Sequence, residues 1–425
     1  MTEHMARRST LKNGVKIVTK TIPHVRSVSM GIWVNTGARD EARHENGLSH
    51  FIEHMIFKGT KKRTALQIAK EFDAIGGHTN AFTAMENTCY YAKALDSHLD
   101  RMIDILSDIF LNSVFDNGEI EKERDVIFQE IGLTEDSPED YIHLLSNEVY
   151  WGDTPLGRSI LGTPENILKF DSTALKKFFR TYYYPERIMV SAAGHLDHDQ
   201  FLDRVGPFFE SIGHGPDSVA FDRVAPETRS GVTLRNKDLE QVHLCLTTKG
   251  ISITDPMRYA YSFLNTITGG NMSSRLFQEV REKAGLAYSV YSFITSYVDT
   301  GMMGVYTAVK PDKALESLEI ILKELKKIVD CGLDAGEIAD AAEHTKGGFL
   351  LSSESVDNQM VRLAQNEMHF GRDLSVAETI ENIDSVTMDD VVGLARELFV
   401  FDKMALTLLG PAENKTAFET LLLNS

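Results

Sequence analysis

An internal repeat constrains the fold of this chain more than any other feature. Three phrases of the first half recur in the second half in the same order: GEIEKERDVIF with GEIADAAEHTK, FDSTALKKFF with IDSVTMDDVV, and ERIMVSAAGH with DKMALTLLGP. Their offsets are 218, 213 and 216 residues, so that Gly194, for example, stands opposite Gly410. A repeat of this length indicates two similar domains rather than a solenoid of short units.

The length of the chain agrees with two domains, because 425 residues exceed what one hydrophobic core ordinarily organises. Residues 213–231 are rich in Gly, Pro, Asp and Ser, which is typical of a linker. We therefore expect an N-terminal domain over residues 1–212 and a C-terminal domain over residues 232–425. Within the first half, strand patterns such as VSMGIWVNTG alternate with helical patterns such as HLDRMIDILSDIFLN.

Charge and composition exclude several classes of protein. The net charge of −18 repels phosphate, so nucleic-acid binding is not expected. No apolar run approaches the ~20 residues that a membrane helix needs, and no apolar stretch follows the basic N-terminus as in a secretory signal. The three cysteines, Cys89, Cys245 and Cys331, are widely spaced and odd in number, which favours a reducing compartment. We expect a cytoplasmic protein without membrane contact.

The segment GLSHFIEHMIFKGT places costly polar groups among apolar residues. Its apolar positions have helical spacing, so His50, Glu53 and His54 should share one face of a helix. Two imidazoles one turn apart can bind a single zinc ion, and Glu53 is then free to act on a water molecule. HxxEH is the signature of the inverzincin peptidases, the reverse of the HExxH zinc helix.

A third metal ligand has to come from another segment, since hydrolytic zinc sites usually have three protein ligands and one open position. The helix EKERDVIFQEI offers Glu123 and Glu130, seven residues apart and hence on one face. Buried carboxylates are costly without a cation. Spacing alone leaves open which of the two glutamates is the ligand and which supports it. The alternative to a zinc site is a chance pattern on a helix with one solvated face.

The motifs together resemble one family. WVNTGARDE, ENGLSHFIEHMIFKGT, GGHTNAFT, ERDVIFQEI and MSSRLFQEVREKAGLAYSVYS follow the order found in the superfamily of pitrilysin, insulin-degrading enzyme and the mitochondrial processing peptidase. The resemblance covers nearly the whole chain. It is strongest to the short bacterial members that are similar to the processing peptidase β subunit.

The resemblance implies a role for each polar residue of these motifs. His50, His54 and Glu130 match the ligands of one Zn²⁺ per chain. Glu53 matches the general base that activates a zinc-bound water, and Glu123 matches a supporting acidic residue.

Other positions match the substrate-binding parts of the family. An edge strand beside the zinc, to which a peptide adds as a further strand, corresponds to Asn80, Ala81, Phe82 and Thr83. An Arg–Tyr pair that holds the substrate backbone and steadies the oxyanion corresponds to Arg281 and Tyr288. A glycine-rich loop that guides substrate includes Gly269 and Gly270.

The family implies a fold and an activity for this chain. The fold would be α+β, with two similar α/β-sandwich domains in a clam-like arrangement. The activity would be that of a zinc metalloendopeptidase that cleaves short or unfolded peptides in a closed chamber. The partner would be a second copy of the chain, with a homologous partner subunit as the alternative. Leu144 stands where processing peptidases carry an acidic residue, so a strong preference for arginine is not expected.

Two rival functions remain open. Relatives that have lost the zinc serve as catalytically silent scaffolds or partner subunits, although every catalytic position is filled here. A different metal hydrolase, an amidase or a phosphatase, could also use histidines and carboxylates, but phosphatases more often have two metals in aspartate-rich sites.

Overall fold

The computed structural model describes residues 5–213 and 223–424. In that part of the chain the strands are β1 Arg7–Thr10, β2 Lys16–Thr21, β3 Ser27–Val34, β4 His78–Thr83, β5 Thr88–Leu95, β6 Ile188–Gly194, β7 Gly231–Arg235, β8 Val242–Gly250, β9 Ala287–Ser296, β10 Gly301–Val309 and β11 Ala405–Leu409. The α-helices are α1 Leu48–Ile56, α2 Ala65–Ala74, α3 Leu99–Asn112, α4 Asn117–Asp136, α5 Pro138–Trp151, α6 Pro164–Ile167, α7 Ser172–Tyr182, α8 His198–Phe209, α9 Arg258–Asn265, α10 Ala314–Cys331, α11 Ala335–Ser352, α12 Val356–Phe370, α13 Val376–Asp384, α14 Met388–Leu398 and α15 Lys415–Leu423.

The strands form two sheets with the same topology. The first has the order β1-β2-β6-β3-β5-β4 and the second the order β7-β11-β8-β10-β9. Once β1 is set aside, the two orders correspond strand for strand. The pairs β2/β6 and β7/β11 are parallel, and the other neighbouring pairs are antiparallel. This correspondence confirms the internal duplication that the repeated phrases predict and the α+β fold that the family resemblance implies.

Two equivalent glycines explain why the phrases ERIMVSAAGH and DKMALTLLGP share a glycine at the same position. Gly194 at the end of β6 has φ 135°, and Gly410 just after β11 has φ 123°. A Cβ at Gly194 would collide with the backbone carbonyl of Ser27, and a Cβ at Gly410 would collide with that of Gln241. Both conformations are strained for other residues. The same close backbone approach beside β3 and β8 therefore requires glycine in both halves.

The compact units of the structure are not contiguous in sequence. Unit 1 consists of residues 1–131, 159–222 and 351–375, and unit 2 consists of the remaining three segments, 132–158, 223–350 and 376–425. The two units therefore differ from the predicted division into residues 1–212 and 232–425, because each sheet takes one helix from the other half of the chain. That division stays a prediction about the two sequence repeats, and the predicted linker, residues 213–231, lies partly outside the described residues.

The exchanged helices are α12, which packs on β2, β3 and β6 in unit 1, and α5, which packs on β8 and β11 in unit 2. They occupy equivalent places in the two repeats. Sequence patterns predicted β3, α1, α3 and α4 of the first half, but no pattern singled out α5. Its pairing with the sheet of the second half is a long-range contact that local patterns do not encode.

The sheet of unit 1 is covered on both faces, which explains why the sequence of β3 is apolar almost throughout. Met30 and Ile32 point into the main core with α1 and α3. Trp33 points to the opposite face, where it joins a smaller cluster with Met360 and Leu363 of α12.

Unit 2 is built in the same way. Its main core lies between the sheet and helices that include α9, α10 and α14. On the other face, Ile142 of α5 packs against Cys245, Tyr306 and Leu409. In the described ranges, no helix is long and apolar enough to cross a membrane.

We predict that Met360→Ala lowers the free energy of unfolding of unit 1 by about 2–5 kcal/mol, because truncating a fully buried methionine leaves a cavity under the exchanged helix. Urea unfolding followed by fluorescence measures this in a Trp151→Phe background, where Trp33 is the remaining tryptophan of the two in the chain. Leu351→Ala is the control, because Leu351 is 71% exposed and its truncation should cost less than ~0.5 kcal/mol. Equal effects of the two substitutions would show that α12 does not stabilise this sheet.

Candidate active site

Helix α1 presents the polar residues that the sequence singled out. Its buried apolar positions recur at helical spacing and are Leu48, Phe51, Ile52, Met55 and Ile56. These side chains fix the helix in the core of unit 1. The other face carries His50, Glu53 and His54, as the spacing predicts.

A buried carboxylate holds the start of α1 in place. The N-cap is Gly47, which has no side chain to accept the free N–H groups of the first turn. The carboxylate of Glu41 accepts the backbone N–H groups of Gly47 at 2.8 Å and Ser49 at 2.7 Å. Asn46 Nδ2 donates to it at 3.3 Å. Glu41 is the last residue of the motif WVNTGARDE, which gave it no role of its own; the available signal was a helix start without a polar N-cap residue.

Burial is the largest influence on the pKa of Glu41. Burial raises its pKa to about 7, and the N–H groups of Ser49 and Gly47 oppose the shift. The carboxylate that organises the start of α1 is therefore held at an electrostatic cost.

The imidazoles of α1 and one carboxylate of α4 converge. The Nε2 atoms of His50 and His54 each lie 3.6 Å from Oε2 of Glu130. One ligand atom from each of the three residues falls within 4.8 Å of the others. A separation of 3.6 Å is too long for an ordinary hydrogen bond. The three side chains therefore face one another with space between their ligand atoms.

These residues fit a zinc ion. Ligand atoms on a tetrahedron around zinc at 2.0–2.2 Å are about 3.3–3.6 Å apart, which matches the distances from Glu130. Two imidazole nitrogens and one carboxylate oxygen are also the donor set of known catalytic zinc sites. The two Nε2 atoms and the Glu130 carboxylate would hold the ion and leave one position open.

The pKa shifts of the two imidazoles differ in direction. Burial and the neighbouring His54 lower the pKa of His50 to about 4, which keeps its lone pair free at neutral pH. Burial alone would lower the pKa of His54, but Glu130 and Glu123 outweigh it and raise the pKa. The carboxylates therefore favour a positive charge beside His54, whether a proton or a metal ion supplies it.

Glu123 and Glu130 occupy different positions, although spacing alone could not distinguish them. Glu123 is buried and contacts the far nitrogen of an imidazole, with its Oε2 3.2 Å from Nδ1 of His54. Its other oxygen lies 2.6 Å from Nζ of Lys58. The geometry therefore suits Glu130 as the third metal ligand and Glu123 as the residue that holds the imidazole of His54 in place. Between these two glutamates lies an apolar run, Val126 to Phe128, of which Ile127 is buried whereas Val126 is 43% exposed, so the run faces inward only in part.

Glu53 lies beside the three converging side chains and is held from β4. Its Oε2 accepts the hydroxyl hydrogen of Thr83 at 2.6 Å. Burial raises the pKa of Glu53, and the hydrogen bond from Thr83 opposes the shift. A half-buried carboxylate whose pKa is raised is a stronger proton acceptor than a fully solvated one.

The four residues predicted to form the substrate-binding edge strand, Asn80 to Thr83, all lie in β4. This strand is at the edge of its sheet and pairs with β5. Ala81 joins the main core, whereas the ring of Phe82 packs edge-on against Trp33 at 5.6 Å. The open side of an edge strand can accept an extended peptide.

The predicted residues of the second half belong to unit 2. The guanidinium of Arg281 lies over the ring of Tyr288 at 4.7 Å, and Tyr288 is 81% exposed. Gly269 and Gly270 end a π-helical turn, Thr266–Gly270, instead of lying in an open loop. Gly269 is buried, and a Cβ there would collide with the backbone of β9. The roles of these four residues toward substrate stay predictions.

Comparison with known proteins identifies the family of this chain. Residues 16–164 match the family model for insulinase, peptidase family M16, and residues 169–344 match the model for the peptidase M16 inactive domain. The uncharacterized zinc protease YmxG of Bacillus subtilis is 41% identical over 96% of this chain and 99% of its own length. An uncharacterized zinc protease of Streptomyces coelicolor is 40% identical over 97% of this chain and 91% of its own length.

Solved structures share the fold. A protease from Helicobacter pylori superposes with a TM-score of 0.87 at 22% identity and covers 96% of this chain and 100% of its own. A peptidase M16 inactive domain from Pseudomonas fluorescens gives a TM-score of 0.87 at 18% identity, with 96% and 99% covered. The chain belongs to peptidase family M16, as a short bacterial member of the pitrilysin superfamily.

We predict that the stability of the wild type falls relative to Glu41→Gln as pH rises from about 4.5 to 7. A folded-state pKa near 7 lies above the ordinary value of 4.5, so the folded protein holds a proton that the unfolded chain has released across this range. The relative loss should be on the order of 3 kcal/mol.

Urea unfolding of both proteins at a series of pH values measures this difference and cancels the other titrating groups. Glu210→Gln, at an exposed position of the same unit, is the control and should follow the wild type. If the free energy of unfolding of the wild type instead rose with pH relative to that of Glu41→Gln, the N–H groups of α1 would be shown to keep Glu41 ionised.

Proposed function

We propose that this protein is a zinc metalloendopeptidase, with one zinc ion per chain, that cleaves short or unfolded peptides. The observation that carries the proposal is the convergence of His50, His54 and Glu130 next to Glu53, on two helices of one compact unit. The family and the names of the relatives support peptidase chemistry in general. The zinc, the endopeptidase activity and the residue roles are the proposal.

A zinc ion in this site would supply Lewis acidity and make a water molecule more acidic. The chain supplies the rest of the chemistry. Glu53 accepts a proton from the attacking water and later delivers it to the leaving amine. Thr83 keeps the carboxylate of Glu53 oriented through the 2.6 Å hydrogen bond, which leaves the other oxygen of Glu53 for the proton.

The substrate class follows from the edge strand. A peptide that adds to β4 makes backbone hydrogen bonds, which hold many sequences, while its alternate side chains select among them. Only an extended chain can bind in this way, so folded proteins would be poor substrates. Because Thr83 belongs to the same strand and contacts Glu53, a peptide on β4 would pass close to the general base.

The resemblance to processing peptidases extends the proposal to unit 2 and to assembly. Arg281 and Tyr288 would hold the substrate backbone and steady the oxyanion, and their stacking leaves the tyrosine exposed for this contact. We propose a cytoplasmic homodimer in which each chain carries a complete set of these residues.

We predict that Glu53→Gln binds zinc as the wild type does but cleaves peptides at least ~100-fold more slowly, because only the proton acceptor is lost. Metal analysis of the purified proteins and a fluorogenic peptide assay, with and without a chelator, measure the two properties separately. Glu210→Gln is the matched control on the surface of unit 1 and should leave both unchanged. Wild-type protein that binds zinc without cleaving any peptide would favour the catalytically silent scaffold.

We predict that Glu53 and Arg281 must be intact in the same chain. Arg281→Ala should reduce cleavage roughly 100-fold, as the loss of an oxyanion donor does. Glu53→Gln and Arg281→Ala chains carrying different tags, coexpressed and purified through both tags, should then stay as inactive as either parent. Recovery of activity in the mixed assembly would show that one subunit completes the site of the other, and an absence of mixed assemblies would contradict the homodimer.

A further inference from the structure

Lys58 lies one helical turn beyond His54, at the end of α1. The helix ends at Ile56, but Phe57 keeps right-handed helical geometry and the N–H of Lys58 donates to the carbonyl of Met55 at 3.1 Å. Residues four apart share a helix face, so His54 and Lys58 point to the same side. Lys58 is among the residues that neither the repeat nor the HxxEH motif marks.

Both residues contact the same carboxylate of α4. Glu123 Oε1 lies 2.6 Å from the ammonium of Lys58, and Oε2 lies 3.2 Å from Nδ1 of His54. The side chain of Glu123 is only 7% exposed, so its charge needs compensation from the protein. Each oxygen thus has its own partner, and the two contacts together fix the orientation of the carboxylate.

The orientation of this carboxylate controls which nitrogen of His54 is free. An acceptor at Nδ1 holds the N–H there and leaves the lone pair of Nε2 directed toward Glu130. The other histidine has no comparable support, because in the described part of the chain no hydrogen-bond partner reaches the buried Nδ1 of His50. Of the two histidines, His54 is therefore the one that a neighbouring carboxylate orients, and that carboxylate is Glu123.

We propose that Lys58 is a positioning residue of the metal site, acting through Glu123 to orient His54. This inference rests on the proposed function, since it takes zinc as the ion that His54 binds. Removing the ammonium would free one oxygen of a buried carboxylate and let Glu123 turn away from Nδ1.

Charge repulsion between Lys58 and the metal ion would change the zinc affinity in the opposite direction. Whether the loss of Lys58 weakens or strengthens zinc binding therefore distinguishes the two effects. Lys58 is a cation beside a cation site, so its removal would strengthen zinc binding if its charge acted directly. Its side chain is 31% exposed and hence partly screened by solvent, whereas its contact with Glu123 is direct. We therefore expect that losing Lys58 weakens zinc binding.

The experiment measures the zinc dissociation constant of each protein by competition with a chromophoric chelator. Lys58→Met should weaken zinc binding roughly 10–100-fold, as the loss of other outer contacts to metal ligands does. Lys62→Met, the same substitution at an exposed lysine four residues on, should change it less than ~2-fold. At saturating zinc, Lys58→Met should recover kcat to within ~3-fold of the wild type, because Lys58 does not touch the reacting atoms.

A double-mutant cycle tests the route through Glu123. Glu123→Gln should weaken zinc binding as much as Lys58→Met does, and the double variant should be no weaker than Glu123→Gln alone. Lys58→Arg, which keeps the cation, should stay within ~3-fold of the wild type and keeps the test decisive if Lys58→Met does not fold.

Three results would overturn the inference: unchanged or tighter zinc binding by Lys58→Met, additive effects in the double variant, or a loss in Lys58→Arg as large as in Lys58→Met. Each leaves zinc binding by the wild type intact, so each is distinct from a failure of the proposed function. Wild-type protein that binds no zinc would reject the proposed function itself.

Discussion

Compensation of buried and half-buried negative charge at α1 is the constraint on which this site depends. One carboxylate belongs to α1 and three others reach it from other segments, and each is stabilised differently. Glu41 accepts backbone N–H groups of the first turn, Glu53 accepts a threonine hydroxyl, and Glu123 is shared by Lys58 and an imidazole. Glu130 faces two imidazoles at a distance too long for hydrogen bonds. It is therefore the carboxylate whose surroundings leave room for a metal ion.

The second half of the chain shows what the scaffold looks like without this chemistry. Its sheet has the same strand order, and α9 follows β8 as α1 follows β3. The sequence of α9, RYAYSFLN, has no histidine or carboxylate. The duplicated architecture therefore does not require the metal-binding groups, which the first half carries on α1 and α4.

The sequence predicted contacts between residues that are close along the chain better than contacts between distant segments. Helical periodicity placed His50, Glu53 and His54 on one face, because neighbours on a helix are set by spacing alone. The choice of Glu130 as the third ligand came from the family resemblance, since Glu123 has the same helical phase. The contact of Glu41 with the start of α1 could not be predicted, because no local pattern specifies which carboxylate reaches a free N–H group.

The packing of the exchanged helices α5 and α12 could not be predicted from the sequence either. Repeated phrases revealed the duplication, because it is written in the sequence itself. They could not reveal that α5 and α12 change sheets, because that depends on contacts between segments far apart in the chain. The packing of Gly269 in a π-helical turn was missed for a related reason: a glycine pair indicates a loop until the backbone of a neighbouring strand is seen to approach it.

The position of α12 has a consequence for synthesis on the ribosome. The strands of the first sheet are all made once residue 194 has been added, but the helix that covers one face of that sheet ends at Phe370. At 5–20 residues per second, the nascent sheet waits roughly 9–35 s with the ring of Trp33 and its apolar neighbours uncovered. During that interval the growing chain is a natural client for chaperones that shield apolar surface.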